Sequence, residues 1–192
     1  MVQHILNDID PAVLKTTLVN FFIYGNIIGC ERQDQLRAQY QCNIPWAILM
    51  DPTSACNLHC TGCWAAEYGN KLHLSLDELD DIIRQGKDMG VYFYIYTGGE
   101  PLVRKKDIIT LCERHPDCEF LSFTNGTLID EAFADEMLRV KNFIPAISLE
   151  GDETTTDSRR GAGTYQKVLR AIDLLHERKL IYGISSCYTS VN

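Results

Sequence analysis

The sequence predicts an α/β fold built on a parallel sheet, and three observations carry that prediction. Short runs of apolar, β-branched and aromatic residues alternate with amphipathic stretches of helical period, at intervals of about thirty residues. Capping residues stand at the heads of the helical stretches. Four of the short runs end in residues of chemical rather than packing character, at the strand ends where parallel-sheet proteins gather their ligands. The 192 residues suffice for one buried core, and 45% hydrophobic with 23% charged residues excludes disorder as the main theme. A net charge of −8 argues against tracking a nucleic-acid backbone, which takes clustered positive charge.

The elements follow in order. Asp10 caps and Pro11 opens a helix to about Tyr24, with Gly25 as its stop, and a more polar helix covers residues 31–41. Residues 1–45 thus form an N-terminal helical extension, and residues 46–192 the core domain. Trp46–Met50 is the first strand. Ser75-Leu-Asp-Glu78 is a capping box opening a helix that Gly90 ends. Residues 91–96, Val-Tyr-Phe-Tyr-Ile-Tyr, form a strand buried on both faces, its tyrosines belonging to the core. A helix over residues 105–115 precedes the strand 119–123. Asp130 caps the next helix, 143–148 is the fourth strand, and Thr164 caps a strongly amphipathic helix before a last strand over 182–188. Five strands with nothing to cover the last lead us to expect an incomplete domain. No run of eighteen apolar residues occurs, Gly25 and Asn26 breaking the longest, so no membrane span is expected, and the start lacks signal-peptide features. A reducing, cytoplasmic setting is the default.

Cys56-Asn-Leu-His-Cys60-Thr-Gly-Cys63 is the strongest chemical signal. Three thiolates on one short loop can converge on a metal centre, and three local ligands instead of four suggest an open coordination position. Two further readings stay open: a zinc-binding structural or interaction protein taking Cys30 or Cys42 as fourth ligand, and an inert cluster-binding fragment. His59 lies among the cysteines without being needed as a ligand. Cys30, Cys42, Cys112, Cys118 and Cys187 read as buried small hydrophobes. Arg159 and Arg160 read as part of a solvated loop.

The cysteine spacing resembles that of the radical S-adenosylmethionine (radical SAM) superfamily. Thr97-Gly98-Gly99-Glu100-Pro101 resembles its GGEP motif, and Thr124-Asn125-Gly126 and Ser148-Leu149-Glu150-Gly151 stand at further strand ends in the expected order. The resemblance implies a partial (β/α)6 TIM-like barrel with the N-terminal helical extension before it. It implies a [4Fe-4S] cluster on Cys56, Cys60 and Cys63, with S-adenosyl-L-methionine chelating the fourth iron. Reductive cleavage would give a 5′-deoxyadenosyl radical that abstracts hydrogen from a substrate, a peptide or protein being the nearest analogy. Gly98 and Gly99 would admit the methionine moiety, and Glu100 would take its ammonium. Ser148 and Glu150 would face the ribose or the methionine end, with Asn125 nearby. Gly62 stands where the family commonly has a bulky residue, and Trp64 is the candidate to supply adenine contact instead. A reductant such as flavodoxin or ferredoxin is the implied partner, with no nucleic acid.

Overall fold

The computed structural model describes residues 8–188, so the first seven residues of the extension and the last four of the core lie outside the described residues. Asp10 accepts the amides of Ala12 and Val13 at 2.8 and 3.1 Å and starts α1, Pro11–Tyr40, with proline at its first position. Gly25 does not stop this helix. Residues Val19–Ile28 pass through a π-helical segment and α1 resumes as α-helix from Gly29 to Tyr40. By length and composition alone α1 is long and apolar enough to cross a membrane, and the break expected at Gly25 does not occur. Its inward face nevertheless carries buried Asn20 and Gln33, both bonded to the rest of the fold, as a docked helix requires.

The sheet comprises β1 Ala47–Met50, β2 Phe93–Tyr96, β3 Glu119–Thr124, β4 Phe143–Ser148 and β5 Gly183–Ser185. All pairs are parallel and every strand lies beside its sequence neighbours. That order is the wall of a barrel; a doubly wound sheet would reverse at a switch point. Right-handed crossovers then place the helices on one face. These are α2 Leu76–Asp88, α3 Lys105–Arg114, α4 Glu131–Val140, a short α5 Glu153–Arg160, and α6 Thr164–Glu177. The architecture is a partial barrel of TIM type, as expected from the sequence.

Local chemistry sets the boundaries. Ser75 and Glu78 close the capping box of α2 in both directions, and Asp130 accepts the Phe133 amide at 2.9 Å to start α4. The cap of α6 differs from expectation. Gly163 occupies the position before it, and the Asp157 carboxylate accepts the amides of Gly163 and Tyr165, while Thr164 lies inside the helix. The helix α5 falls where the sequence suggested loop.

The register sorts the side chains. Ile48, Met50, Tyr94, Tyr96, Phe120 and Ile147 share the helix-facing side and meet Leu79, Ile83, Ile108, Met137 and Leu175 in one core. Leu49, Ile95, Leu121 and Phe123 point the other way, and there Leu49 is 60% exposed. The second strand is therefore buried on its helix side and only half-buried on its inner side, because the cylinder is half-built.

Helix α1 floors the barrel at the strand N-termini. Asn20 donates to the carbonyls of Pro116 and Cys118 at 3.0 and 2.9 Å, Gln33 donates to that of Gly90, and Phe21 sets its edge on Trp46 and Phe93. Fully buried Glu119 lies there too, accepting the Thr17 hydroxyl at 3.2 Å. At the same end Asn142 donates to the carbonyls of Cys112, His115 and Cys118, tying the end of α3 to β3.

Candidate active site

The cysteine loop leaves the C-terminal end of β1 and is held there by continued pairing. Thr97 donates its amide to Met50, Gly99 to Thr53 and Glu100 to Ala55, all within 3.0 Å, so the Gly-Gly-Glu segment runs alongside residues 53–55. This contact explains the glycines without any ligand. A Cβ on Gly99 would lie 2.3 Å from the Ala55 carbonyl oxygen and 2.5 Å from that of Ser54. Gly98 has a φ of +107°, which side chains rarely adopt, and a Cβ there would meet Thr53 at 2.7 Å.

Glu100 is 1% exposed and its carboxylate organises the junction of three loops. One oxygen accepts the Thr124 hydroxyl at 2.6 Å and the Leu102 amide at 3.0 Å; the other accepts the Asn125 amide at 2.7 Å. Burial pushes its carboxyl upward, opposed by these hydrogen bonds. The Asn125 side chain is engaged as well. Its Nδ2 donates to Asn57 Oδ1 at 2.9 Å, and its oxygen accepts from the amide and hydroxyl of Thr127. Asn57 in turn donates to Thr127 Oγ1, so the third strand's loop grips the cysteine loop between Cys56 and Leu58.

Cys56, Cys60 and Cys63 line one cavity of about 520 Å³, together with Trp64, Gly98, Gly99, Glu100, Asn125 and Ser148. That volume is in the range of small-molecule sites. Burial pushes the thiols of Cys56 and Cys60 upward; the Arg160 guanidinium opposes the rise at Cys60, while the carboxylate of Glu100 adds to it at Cys56. Trp64 is exposed on the rim and packs edge-on against Tyr68. His59 is exposed.

Glu150, expected to face the cofactor, is engaged by two arginines: its carboxylate accepts from Arg160 Nε and Nη2, each at 2.6 Å, and from Arg159 Nη1 at 3.1 Å. Two expectations are corrected. Arg159 and Arg160 are thus an anion clamp on α5 and not a solvated loop, and both line the cavity. Cys42 and Cys187 are exposed, not buried, and Cys187 with Ser185 and Ser186 forms part of the cavity wall at the C-terminal end of β5. Sequence reasoning missed Asn57 and Thr127 and gave Thr124 no role of its own, because their roles depend on partners up to seventy residues away.

A closed zinc site takes four protein ligands, so the cysteine loop would need a fourth from elsewhere in the chain. Cys30 accompanies α1, where its thiol approaches the Gly25 carbonyl, and Cys42 follows α1 ahead of β1; both lie toward the strand N-termini, away from Cys56. Three thiols from one loop on one cavity wall suit a cluster that keeps one position open to a ligand.

Strand order and thiol-lined cavity together define a partial α/β barrel that keeps its chemistry at the strand C-termini. The Radical SAM superfamily model matches residues 50–191, and the chain belongs to that superfamily. It is 33% identical over 178 residues to the serine-type anaerobic sulfatase-maturating enzyme of Klebsiella aerogenes, covering 82% of this chain and 44% of that protein. The solved structure of native anSMEcpe with bound AdoMet is similar at a TM-score of 0.62 and 25% identity, over 72% of this chain and 42% of that one. Streptococcus suis SuiB bound to precursor peptide SuiA shares the fold, with a TM-score of 0.70 at 22% identity over 85% of this chain and 38% of that one. The chain therefore spans less than half the length of each of these proteins.

Proposed function

We propose that this chain is the cofactor-binding part of a radical SAM enzyme acting on a peptide or protein substrate. Cys56, Cys60 and Cys63 would hold three irons of a [4Fe-4S] cluster, with S-adenosyl-L-methionine beside it. The observation that carries the reading is the meeting of three thiols and the Gly98-Gly99-Glu100 segment around one cavity at the strand C-termini. The peptide-scale substrate is supported by the sulfatase-maturating relative and by the fold shared with SuiB.

The chemistry supplied by the bound pair is one-electron cleavage of the sulfonium C–S bond, giving a 5′-deoxyadenosyl radical able to take a hydrogen atom from the substrate. The chain's own groups bind and orient. Gly98 and Gly99 seat the cysteine loop and present backbone to the cavity. Glu100, fixed by three donors, keeps acceptor capacity for the methionine ammonium. Ser148 offers a hydroxyl on the cavity wall, and Trp64 an apolar surface for adenine. Asn125 contributes by fixing the cysteine loop, and Glu150 by fixing two arginines. The partial barrel over residues 46–192 with its extension 1–45 works as one unit, in a reducing cytoplasmic setting, with a flavodoxin- or ferredoxin-class electron donor.

Anaerobic purification with iron, sulfide and zinc analysis tests the reading. We expect four irons and four sulfides per chain, and cleavage of S-adenosylmethionine to 5′-deoxyadenosine that Cys60→Ala abolishes. Zinc without sulfide overturns the proposal.

A further inference from the structure

The short helix α5 holds a charge pattern that the proposed chemistry has not yet used. Glu150, just past β4, has a side chain 1% exposed, and the Arg160 side chain is 13% exposed. The two make a two-pronged contact, Nε to one carboxylate oxygen and Nη2 to the other, both at 2.6 Å. The remaining arm is directed elsewhere: Arg160 Nη1 lies 3.9 Å from Cys60 Sγ. The loop is also tied to the same helical turn through its backbone, since Thr61 donates its amide to the Arg159 carbonyl at 2.8 Å. The Arg159 Nε returns a contact to the Thr61 carbonyl at 3.4 Å. One buried carboxylate thus holds two guanidinium groups, and the remaining arm of Arg160 is directed at a ligand sulfur.

We infer that Arg160, bracketed by Glu150, is a positioning residue that holds a positive charge and an N–H donor against the Cys60 sulfur and so raises the reduction potential of the cluster. The inference rests on the cluster assignment above. Reduction adds a negative charge to the centre. A cation or hydrogen-bond donor at a ligand sulfur stabilises the reduced form more than the oxidised one. The bracket matters because an unpaired arginine side chain would swing into solvent, whereas the Glu150 fork fixes the guanidinium plane.

The experiment is a mediated redox titration of the reconstituted full chain without S-adenosylmethionine, followed by electron paramagnetic resonance of the reduced cluster. Wild type is compared with Arg160→Gln, Arg160→Met and Arg160→Lys at matched iron and sulfide content. The neutral variants should show a reduced-to-oxidised ratio about tenfold lower at a fixed potential, equivalent to about 59 mV for one electron. Arg160→Lys, which keeps the charge, should recover most of that difference. Loaded neutral variants that titrate like wild type overturn the inference. If only Arg160→Lys takes up the cluster, charge at this position is required, in support of the bracket. If none of the three takes it up while wild type does, Arg160 is a structural tie and the inference fails. Wild type lacking iron and sulfide would instead overturn the cluster assignment itself.

Discussion

Replacing Glu119 with Gln isolates the electrostatic load beneath the barrel. Glu119 is fully buried between β3 and α1; one oxygen takes the Thr17 hydroxyl, and the other has no hydrogen-bond partner among the described residues. Burial pushes its carboxyl from the ordinary 4.5 up to about 8, against smaller opposing contributions from Thr17 and Asn20. The folded state therefore keeps a proton that the unfolded chain has lost between those values. The associated stability is fully present below pH 4.5 and is lost as pH rises through 8. At 1.36 kcal/mol per pH unit, complete ionisation removes about 5 kcal/mol, and the interval from pH 5 to 8.5 about 4 kcal/mol. Urea unfolding across that interval measures the effect as the difference between wild type and Glu119→Gln. The two should be close at pH 5 and diverge steadily, the variant becoming relatively more stable at pH 8.5. Curves that stay parallel would refute the reasoning, since the buried carboxyl would then carry no such load.

Two further outcomes follow from geometry already described. Gly99→Ala sets a Cβ against two backbone oxygens of the cysteine loop, so we expect a cost of about 1–3 kcal/mol in thermal or urea unfolding and a disturbed cavity, seen as reduced iron uptake with the far-ultraviolet spectrum retained. Asn142→Ala removes a buried amide whose two hydrogens serve three carbonyls at 3.1 Å; the loss of about two bonds should cost about 2–3 kcal/mol in urea unfolding, with the slope unchanged.

Much of the fold was legible because its signals are local. Ser75 with Glu78, and Asp130 before its helix, are complete within four residues, and the strands stand out as dense β-branched and aromatic runs. The cysteine triplet and the two glycines were legible for the same reason. What escaped is non-local or weakly patterned. The helix α5 reads Glu-Thr-Thr-Thr-Asp-Ser-Arg-Arg, with Thr156 its only buried residue, so no apolar stripe announces it. Its signals were finer: Asp152 accepts the Thr155 amide at the start, and two arginines stand at the end where the helix dipole favours cations. Glu150 was expected at the cofactor because alternation along β4 places it near the site; its pairing with Arg160 depends on how α5 folds back. Gly25 resembled a stop because glycine commonly ends helices. In the fold it is a buried contact residue within a continuing helix.

The π-helical segment of α1 also has a geometric consequence. The residues that α1 turns inward include Val13, Asn20, Gly25, Gly29 and Gln33. A continuous α-helix with 3.6 residues per turn would rotate the step from Asn20 to Gly25 well off the docking face, whereas i→i+5 bonding gives the turn its extra residue. The segment therefore works as a phase corrector, allowing one helical rod to present two separately spaced sets of contacts to the same floor. Gly29 shows how closely that phase is needed: a Cβ there would lie 2.4 Å from the Gly90 carbonyl oxygen, so the rod meets the turn after α2 backbone to backbone and a small rotation would separate the two.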